Sequence, residues 1–316
     1  MAKGSIRVVY AGIAGNLLVA ITKFAAAYFT HSSAMLSEAV HSLVDTGDQV
    51  VMLYGIRRSE RVPDASHPFG YGRELYFWSF VVAVLIFAIG AGVSVYEGIH
   101  HILNPEPLRD AWINYVVLAI AAAIEFGSWT VALKEFRLHK RDMGYFEAAQ
   151  NTKDPSTLTL LLEDSAALIG IGFAAIGTAA TQLTGNPVYD GAASIAIGVL
   201  LAFVSIFLAR ETKRLLIGEP ADRRLVEELR TAAAAQPGIK HVNGIATIHV
   251  GPRQVVCAMS IEFAETLCAK DIERVVEELE DGICTSYAWV SMLLVKPQSA
   301  VAYAEAVRTR VGPPPG

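Results

Sequence analysis

Long stretches of mostly apolar residues recur through the first two thirds of this sequence. A helix of about 20 apolar residues crosses the hydrocarbon core of a bilayer, and a spanning segment must be helical because its backbone polar groups find no water there. Only 18% of the residues are charged, against about a quarter in soluble domains. We therefore predict an α-helical membrane protein with six transmembrane helices: Ile6–Phe29, Ala34–Ile56, Tyr76–Ile99, Trp112–Leu133, Ser156–Leu183 and Pro187–Ala209.

The basic residues of the connecting segments lie almost entirely on one side of these helices. Arg109 is the single basic residue on the other side, and fourteen lie opposite it: Lys3, Arg7, Arg57, Arg58, Arg61, Arg73, Lys134, Arg137, Lys140, Arg141, Lys153, Arg210, Lys213 and Arg214. Because such residues accumulate on the cytoplasmic side, we expect both termini in the cytoplasm, and we assign the protein to a bacterial inner membrane.

The composition changes to that of a soluble domain after Ile217. An amphipathic helix within Pro220–Ala235 precedes two strand-like runs, Val242–Val250 and Val255–Phe263, and then a second helix at Asp271–Leu279 and a third strand at Ala288–Val295. This order predicts a small α+β domain with a three-stranded sheet. We divide the chain into a transport domain (1–215), a cytosolic domain (216–298) and a flexible tail (299–316).

His41 and Asp45 stand four residues apart inside the second apolar segment. On a helix they lie on one face, one turn apart. Ionisable groups at that depth are costly in lipid and should face the interior of the bundle, where imidazole and carboxylate suit zinc or another divalent metal. A polar pair that hydrogen-bonds between helices is the alternative.

Glu163 and Asp164 lie within the first few turns of the fifth segment, directly before a long run without charged residues. Adjacent residues of a helix point about 100° apart, so we expect at most one of them, preferably Asp164, to share a pocket with His41 and Asp45. Alternatively, one carboxylate pairs with a cytosolic arginine or stabilises the helix N-terminus. Lys23, near the far end of the first segment, is expected to reach the membrane interface.

Several motifs resemble the cation diffusion facilitator family of divalent-metal transporters. They are the segment from Ser37 to Asp45, the loop from Asp64 through His67 to Glu74, the run from Glu163 to Ala166, and the C-terminal αββαβ pattern. The resemblance covers nearly the whole chain and is strongest to the branch with the mitochondrial zinc exchanger of animals. It implies six membrane helices and a cytosolic ferredoxin-like domain.

Within this resemblance, the transport site has the ligands His41, Asp45 and Asp164. Leu160 stands where the family usually has a fourth ligand, so that place is left to water, Glu163 or another helix. Asp64 and His67 match an accessory loop site in which Tyr71 replaces a second histidine, so we expect weak or absent metal binding there. Asn243 and Ser260 occupy positions where the soluble domain often has histidines.

The resemblance also places a basic residue at Arg73 in a charge cluster between two subunits, and Glu211 and Glu219 are candidate partners. An ordinary arginine at the cytoplasmic end of a helix is the alternative. We therefore expect a homodimer.

The ligand chemistry predicts a Zn²⁺–proton antiporter that exports metal from the cytosol. Metal needs His41 neutral and the carboxylates ionised, so metal and protons compete. Metal and protons are the expected partners, with no prosthetic group, nucleic acid or enzyme activity. Fe²⁺, Mn²⁺ and Co²⁺ suit the same ligands. A metal-responsive receptor or channel could also use these residues, and so could an intramembrane metal hydrolase, although the sequence has no HExxH motif.

Overall fold

The structure is a computed structural model that describes residues 3–140, 144–151 and 153–310. These residues form two compact units, one within residues 1–60 and 74–213 and the other within residues 61–73 and 214–316. The second unit therefore contains the loop between the second and third predicted spans as well as the C-terminal domain.

The first unit is a bundle of long helices at the predicted positions. The third predicted span is a single long helix made of α3, a π-helical segment and α4, whereas α6 is a short helix that the sequence did not predict. The bounds are α1 Lys3–Thr30, α2 Ser33–Ser59, α3 Arg73–Leu85, the π-helical segment Ile86–Ala91, α4 Gly92–Leu103, α5 Ala111–Lys140, α6 Tyr145–Asn151, α7 Pro155–Thr184 and α8 Val188–Ile217.

Five helical stretches in the described part of the chain are long and apolar enough to cross a membrane. They are Ile13–Thr30, Arg73–Leu103, Ala111–Leu138, Pro155–Thr184 and Val188–Ile217. The chain is thus an integral membrane protein. The remaining predicted span, Ala34–Ile56 within α2, differs because its acidic residues lower its average hydropathy.

Helix α2 nevertheless has the length and the surface of a membrane helix. Its 27 residues extend about 40 Å, and it packs against α1, α4 and α7. Its polar residues from Ser33 to Asp48 are buried, whereas Leu43, Val50 and Tyr54 are exposed. The apolar face of α2 points outward and the polar face points into the bundle, which is the arrangement that lipid requires.

Buried polar groups hold the N-terminus of α2. Ser32 is the N-cap, and its hydroxyl accepts a hydrogen bond from the Met35 amide at 3.1 Å. The Asp190 carboxylate of α8 accepts from the Ser32 hydroxyl at 2.7 Å and from the Ala34 amide at 3.2 Å. Asp190 therefore compensates the unpaired amides and the positive end of the α2 dipole.

The ends of α7 follow the predicted signals. The Asp154 side chain accepts from the Ser156 amide, and Pro155 occupies the first turn, where its missing amide proton costs nothing. Gly185 ends the helix in the left-handed conformation with φ 68°, which favours glycine because it has no Cβ. The Asp154-Pro155 start and the Gly185 break were both predicted from the sequence.

The second unit contains the predicted αββαβ domain, which is ferredoxin-like. Its elements are α9 Arg223–Ala234, β1 Ile239–Gly251, β2 Gln254–Phe263, α10 Ala269–Ser286, β3 Val290–Pro297 and α11 Ala300–Arg310. The central strand β2 pairs antiparallel with β1 and parallel with β3. The five residues predicted to share one face of β2, Val255, Cys257, Met259, Ile261 and Phe263, are all buried, but burial does not alternate strictly because Val256 and Ser260 on the other face are buried as well.

Two parts of the second unit differ from the sequence-based interpretation. Residues 300–310 form helix α11 where a flexible tail was expected, while residues 311–316 lie outside the described part. The loop 61–73, which we assigned to the transport domain, belongs to the same compact unit as the C-terminal domain. A Cβ added to Gly72 would clash with the Val250 carbonyl oxygen, so glycine permits the close approach of the loop to β1.

Candidate functional site

A small polar cavity lies inside the membrane unit, where α1, α2, α5 and α7 meet. About 10 Å³ is open to the centre of a water molecule, which is room for about one water or one metal ion. Seven of its eight lining side chains bear oxygen, namely Asn16, Ser42, Asp45, Gln49, Glu125, Glu163 and Asp164, and the eighth is Val19. Three of the predicted site residues, Asp45, Glu163 and Asp164, are therefore brought together.

His41 lies beside this cavity rather than on its wall. Its Nδ1 atom is 3.1 Å from Asp45 Oδ1, as expected for residues one helical turn apart, and the side chain is 1% exposed. Its Nε2 atom is buried without a hydrogen-bond partner among the described residues. A buried polar atom without a partner is costly. The Nε2 atom is therefore available as a metal ligand next to Asp45.

Glu163 and Asp164 both line the cavity, so the expectation that at most one of them would do so is wrong. Asp164 faces α5, where Ser128 Oγ donates to its Oδ2 at 2.8 Å. Glu163 is buried, and its Oε1 atom has no hydrogen-bond partner among the described residues. Adjacent residues of a helix point about 100° apart, and this angle still leaves both carboxylates on the wall of one cavity.

Lys23 is fully buried, which corrects the prediction that it reaches the interface. Its ammonium donates to Glu38 Oε2 at 2.9 Å and to Ser42 Oγ at 2.8 Å, and both charged side chains are 0% exposed. In the low-dielectric interior of the bundle, a buried ion pair is tolerated when both ions are also hydrogen-bonded. The presence of Glu38 in a membrane helix was the available signal, because an intramembrane carboxylate requires a partner.

Glu125 and Asp48 were also missed as residues of this region. Glu125 of α5 lines the cavity, and it is the one charged residue in the predicted span Trp112–Leu133. Asp48, one turn after Asp45, is 2% exposed, and neither carboxylate oxygen has a hydrogen-bond partner in the described part of the chain. In both cases, the position of an acidic residue within a predicted span could have identified it.

The arrangement is acidic but is not a preformed metal centre. Among the described residues, no three His, Cys, Asp or Glu side chains are placed to hold one ion together. Binding would therefore require the carboxylates to draw together around the ion.

The predicted accessory residues Asp64 and His67 lie in the loop of the second unit. Hydrogen bonds donated by the Ser66 and Tyr71 hydroxyls, and by the His67 amide, hold the pKa of the Asp64 carboxyl well below its usual range. The nearest approach between His67 Nδ1 and Asp64 is 3.9 Å. Tyr71, which replaces the expected second histidine, thus hydrogen-bonds the carboxylate that a metal would need.

The positions that lack histidine in the C-terminal domain form a hydrogen-bonded cluster. Asn243 Nδ2 donates to Ser260 Oγ at 3.3 Å and to the Gln298 carbonyl at 2.7 Å.

Arg73 and its candidate partner Glu219 are not paired with each other. Arg73 Nε is buried and makes no hydrogen bond within the described residues, whereas Glu219 pairs with Arg214 at 2.7 Å. Glu219 is thus engaged within its own chain.

Carboxylates enclosed by the helices of a membrane domain are typical of membrane proteins that move ions or protons. Residues 9–217 match the family model of the cation efflux transmembrane domain. The chain belongs to the cation efflux family, the cation diffusion facilitators.

Relatives of this chain come from animals, plants and bacteria. The human mitochondrial proton-coupled zinc antiporter SLC30A9 is 32% identical over 287 residues, which cover 88% of this chain and 50% of that protein. Metal tolerance protein C4 of Arabidopsis thaliana is 34% identical over 209 residues, covering 66% and 46%. The cation-efflux pump FieF of Klebsiella pneumoniae is 23% identical over 291 residues, covering 89% and 88%. The chain thus spans about half the length of its animal and plant relatives.

Proposed function

We propose that this protein is a divalent metal cation–proton antiporter that exports Zn²⁺ from the cytosol by alternating access. The observation that carries the proposal is the cavity inside the membrane unit, whose wall includes Asp45, Glu163 and Asp164. Buried carboxylates within a membrane domain are costly unless they bind a cation or a proton. Similarity to the human proton-coupled zinc antiporter supports zinc as the cargo.

His41, Asp45 and Asp164 are the proposed ligands, with Glu163 beside them. The His41 Nε2 atom, which has no hydrogen-bond partner among the described residues, supplies the nitrogen donor that zinc favours. The carboxylates supply oxygen donors and compensate the charge of the ion. In this proposal, Asp64 and His67 are not used for tight binding because Tyr71 and Ser66 already hydrogen-bond Asp64.

Proton coupling follows from the chemistry of these ligands. A metal ion binds the ionised carboxylates and the neutral imidazole, so its arrival displaces protons and protonation displaces the ion. When the cavity opens first to the cytosol and then to the opposite side of the membrane, the metal ion is exchanged for protons. The sequence has no GxxxxGK[ST] motif for nucleotide binding, and the proton gradient is the proposed energy source.

We further propose a homodimer in a bacterial inner membrane, with both termini and the C-terminal domain in the cytoplasm. The distribution of basic residues supports this orientation. The buried Arg73 Nε, which makes no hydrogen bond in the described part of its own chain, supports a role for Arg73 between subunits.

Transport by the purified full-length protein in vesicles tests this function. Zn²⁺ uptake should accelerate when a pH gradient moves protons against the metal at a clamped membrane potential. Asp45→Asn should lower uptake by about tenfold or more because it removes a charged ligand. The matched substitution Asp281→Asn, at an exposed position of α10, should leave uptake unchanged. Zn²⁺ uptake that is indifferent to the pH gradient would exclude antiport.

A further inference from the structure

Glu125 stands on the face of α5 that packs against α7. Ser128, three residues later, donates to Asp164 Oδ2 at 2.8 Å, and Trp129 Nε1 donates to Ser165 Oγ at 3.0 Å. Residues three and four apart lie on the same face of a helix. These two hydrogen bonds fix the rotation of α5, and Glu125 lies on the cavity wall one turn before them.

The charges around Glu125 are unbalanced. In the described part of the chain, the cavity wall has four carboxylates, Asp45, Glu125, Glu163 and Asp164, and no basic side chain. The nearby cation, Lys23, is bound to Glu38 at 2.9 Å. Four carboxylates around one small cavity repel each other unless a cation or protons compensate them.

Glu163 provides a separate indication that a ligand binds there. Its side chain is 6% exposed, and its Oε1 atom has no hydrogen-bond partner among the described residues. This residue belongs to the cavity wall. A buried carboxylate oxygen without a donor is satisfied when a cation enters the cavity.

We propose that Glu125 of α5 is a direct ligand of the transported cation, and that it enables the site to take Mn²⁺ as well as Zn²⁺. This inference rests on the proposed function and adds a ligand from α5 to those of α2 and α7. With Glu125 included, the carboxylate ligands rise from two to three, against a single imidazole nitrogen. Carboxylate ligands suit Mn²⁺, whereas imidazole suits Zn²⁺ among other transition metals, so the added carboxylate broadens selectivity toward the harder ion.

The test measures uptake of Zn²⁺ and of Mn²⁺ separately, in vesicles that contain the full-length protein. Wild type should transport both ions. Glu125→Gln should raise the half-saturating Mn²⁺ concentration by about tenfold or more and that of Zn²⁺ by a smaller factor. Glu125→Asp, which keeps the carboxylate, should restore part of the Mn²⁺ uptake. Glu135→Gln, at an exposed position of the same helix, is the matched control and should behave as wild type.

The outcomes separate this inference from the proposed function. A wild-type protein that transports Zn²⁺ but not Mn²⁺ overturns the selectivity role. Unchanged half-saturating concentrations for Glu125→Gln, or equal factors for both ions, overturn the assignment while leaving antiport intact. A wild-type protein that moves neither ion refutes the proposed function itself. Should Glu125→Gln fail to fold, Glu125→Asp carries the test, because its shorter carboxylate must alter Mn²⁺ uptake more than Zn²⁺ uptake.

Discussion

Lys23 and Glu38 form a fully buried ion pair next to the candidate site. The pair joins α1 to α2, and the Ser42 hydroxyl accepts a further hydrogen bond from the ammonium. Gly170 of α7 gives the carboxylate room, because a Cβ there would lie 2.3 Å from Glu38 Oε1. Lys23 thereby compensates the charge of Glu38, and the cavity carboxylates take no part in this pair.

Removal of one member of this pair should be far more harmful than removal of both. Lys23→Met leaves a buried carboxylate without its cation, which we expect to cost about 3–5 kcal/mol of stability. The double variant Lys23→Met/Glu38→Gln should recover a large part of that loss. Denaturant titrations of the purified protein in detergent measure both, with Lys213→Met at an exposed position as the control. Additive losses would show that the two residues are not coupled.

The sequence predicts that the site is acidic, but it does not predict all of the residues that form it. Asp45 and Asp164 were expected to share a pocket, and the structure brings them to one cavity. Glu125 was missed because a single acidic residue carries no spacing pattern, and only the packing of α5 on α7 turns it toward the others. The environment of Lys23 was misjudged because its position in the sequence suits both a snorkelling lysine and one paired across helices.

Helices α4 and α8 approach each other through glycines. A Cβ added to Gly98 would lie 2.6 Å from the Gly191 carbonyl oxygen and 2.8 Å from the Ile195 amide nitrogen. A Cβ added to Gly198 would lie 2.9 Å from the Val95 amide nitrogen. Backbone atoms cannot rotate aside as a long side chain can, so the small residues set the distance between these helices.

Gly98→Ala should therefore destabilise the membrane domain by about 1–3 kcal/mol, because the two helices must separate. Gly172→Ala is the matched control, since a Cβ at this helical glycine meets no other atom within 4 Å. The control should be neutral or stabilising by up to about 1 kcal/mol, because alanine favours the helix. Thermal unfolding in detergent compares the two variants. Equal midpoints would contradict the packing role of Gly98.

The predicted helices and strands all occur because their apolar patterns are long and regular. The short helix α6 and helix α11 were missed for the opposite reason. Helix α6 has only seven residues. Helix α11 follows directly after a strand, and its own residues do not form one distinct apolar face. The association of loop 61–73 with the C-terminal domain also has no local signal, since it depends on the close approach of Gly72 to Val250.

The proposed homodimer can be tested at Arg73. Arg73 belongs to the compact unit that contains the C-terminal domain, and its guanidinium lies beside Gly218. Glu219, the candidate partner, is bound to Arg214 of the same chain. A charge cluster between subunits would therefore draw on Arg73, Arg214 and Glu219 together.

Arg73→Ala should lower the stability of the homodimer if its guanidinium is buried between subunits. The expected loss is about 3–5 kcal/mol, compared with about 0–1 kcal/mol for an exposed ion pair. Sedimentation of detergent-solubilised protein over a dilution series measures the dissociation constant. Addition of Glu219→Ala should cause little further loss, and Arg253→Ala, at an exposed position, is the control. Dissociation that is unchanged by Arg73→Ala would leave this arginine as an orientation signal only.

The π-helical segment Ile86–Ala91 changes how the third membrane helix can be read from its sequence. A π turn holds roughly one more residue than an α turn, so every residue after Ala91 is rotated by about 100° from the position that a uniform α-helix would give it. A helical wheel drawn through the whole of Arg73–Leu103 therefore assigns the wrong face to Ser94 and Gly98. The added residue gives α4 a rotational phase of its own, and that phase turns these two small residues toward α8.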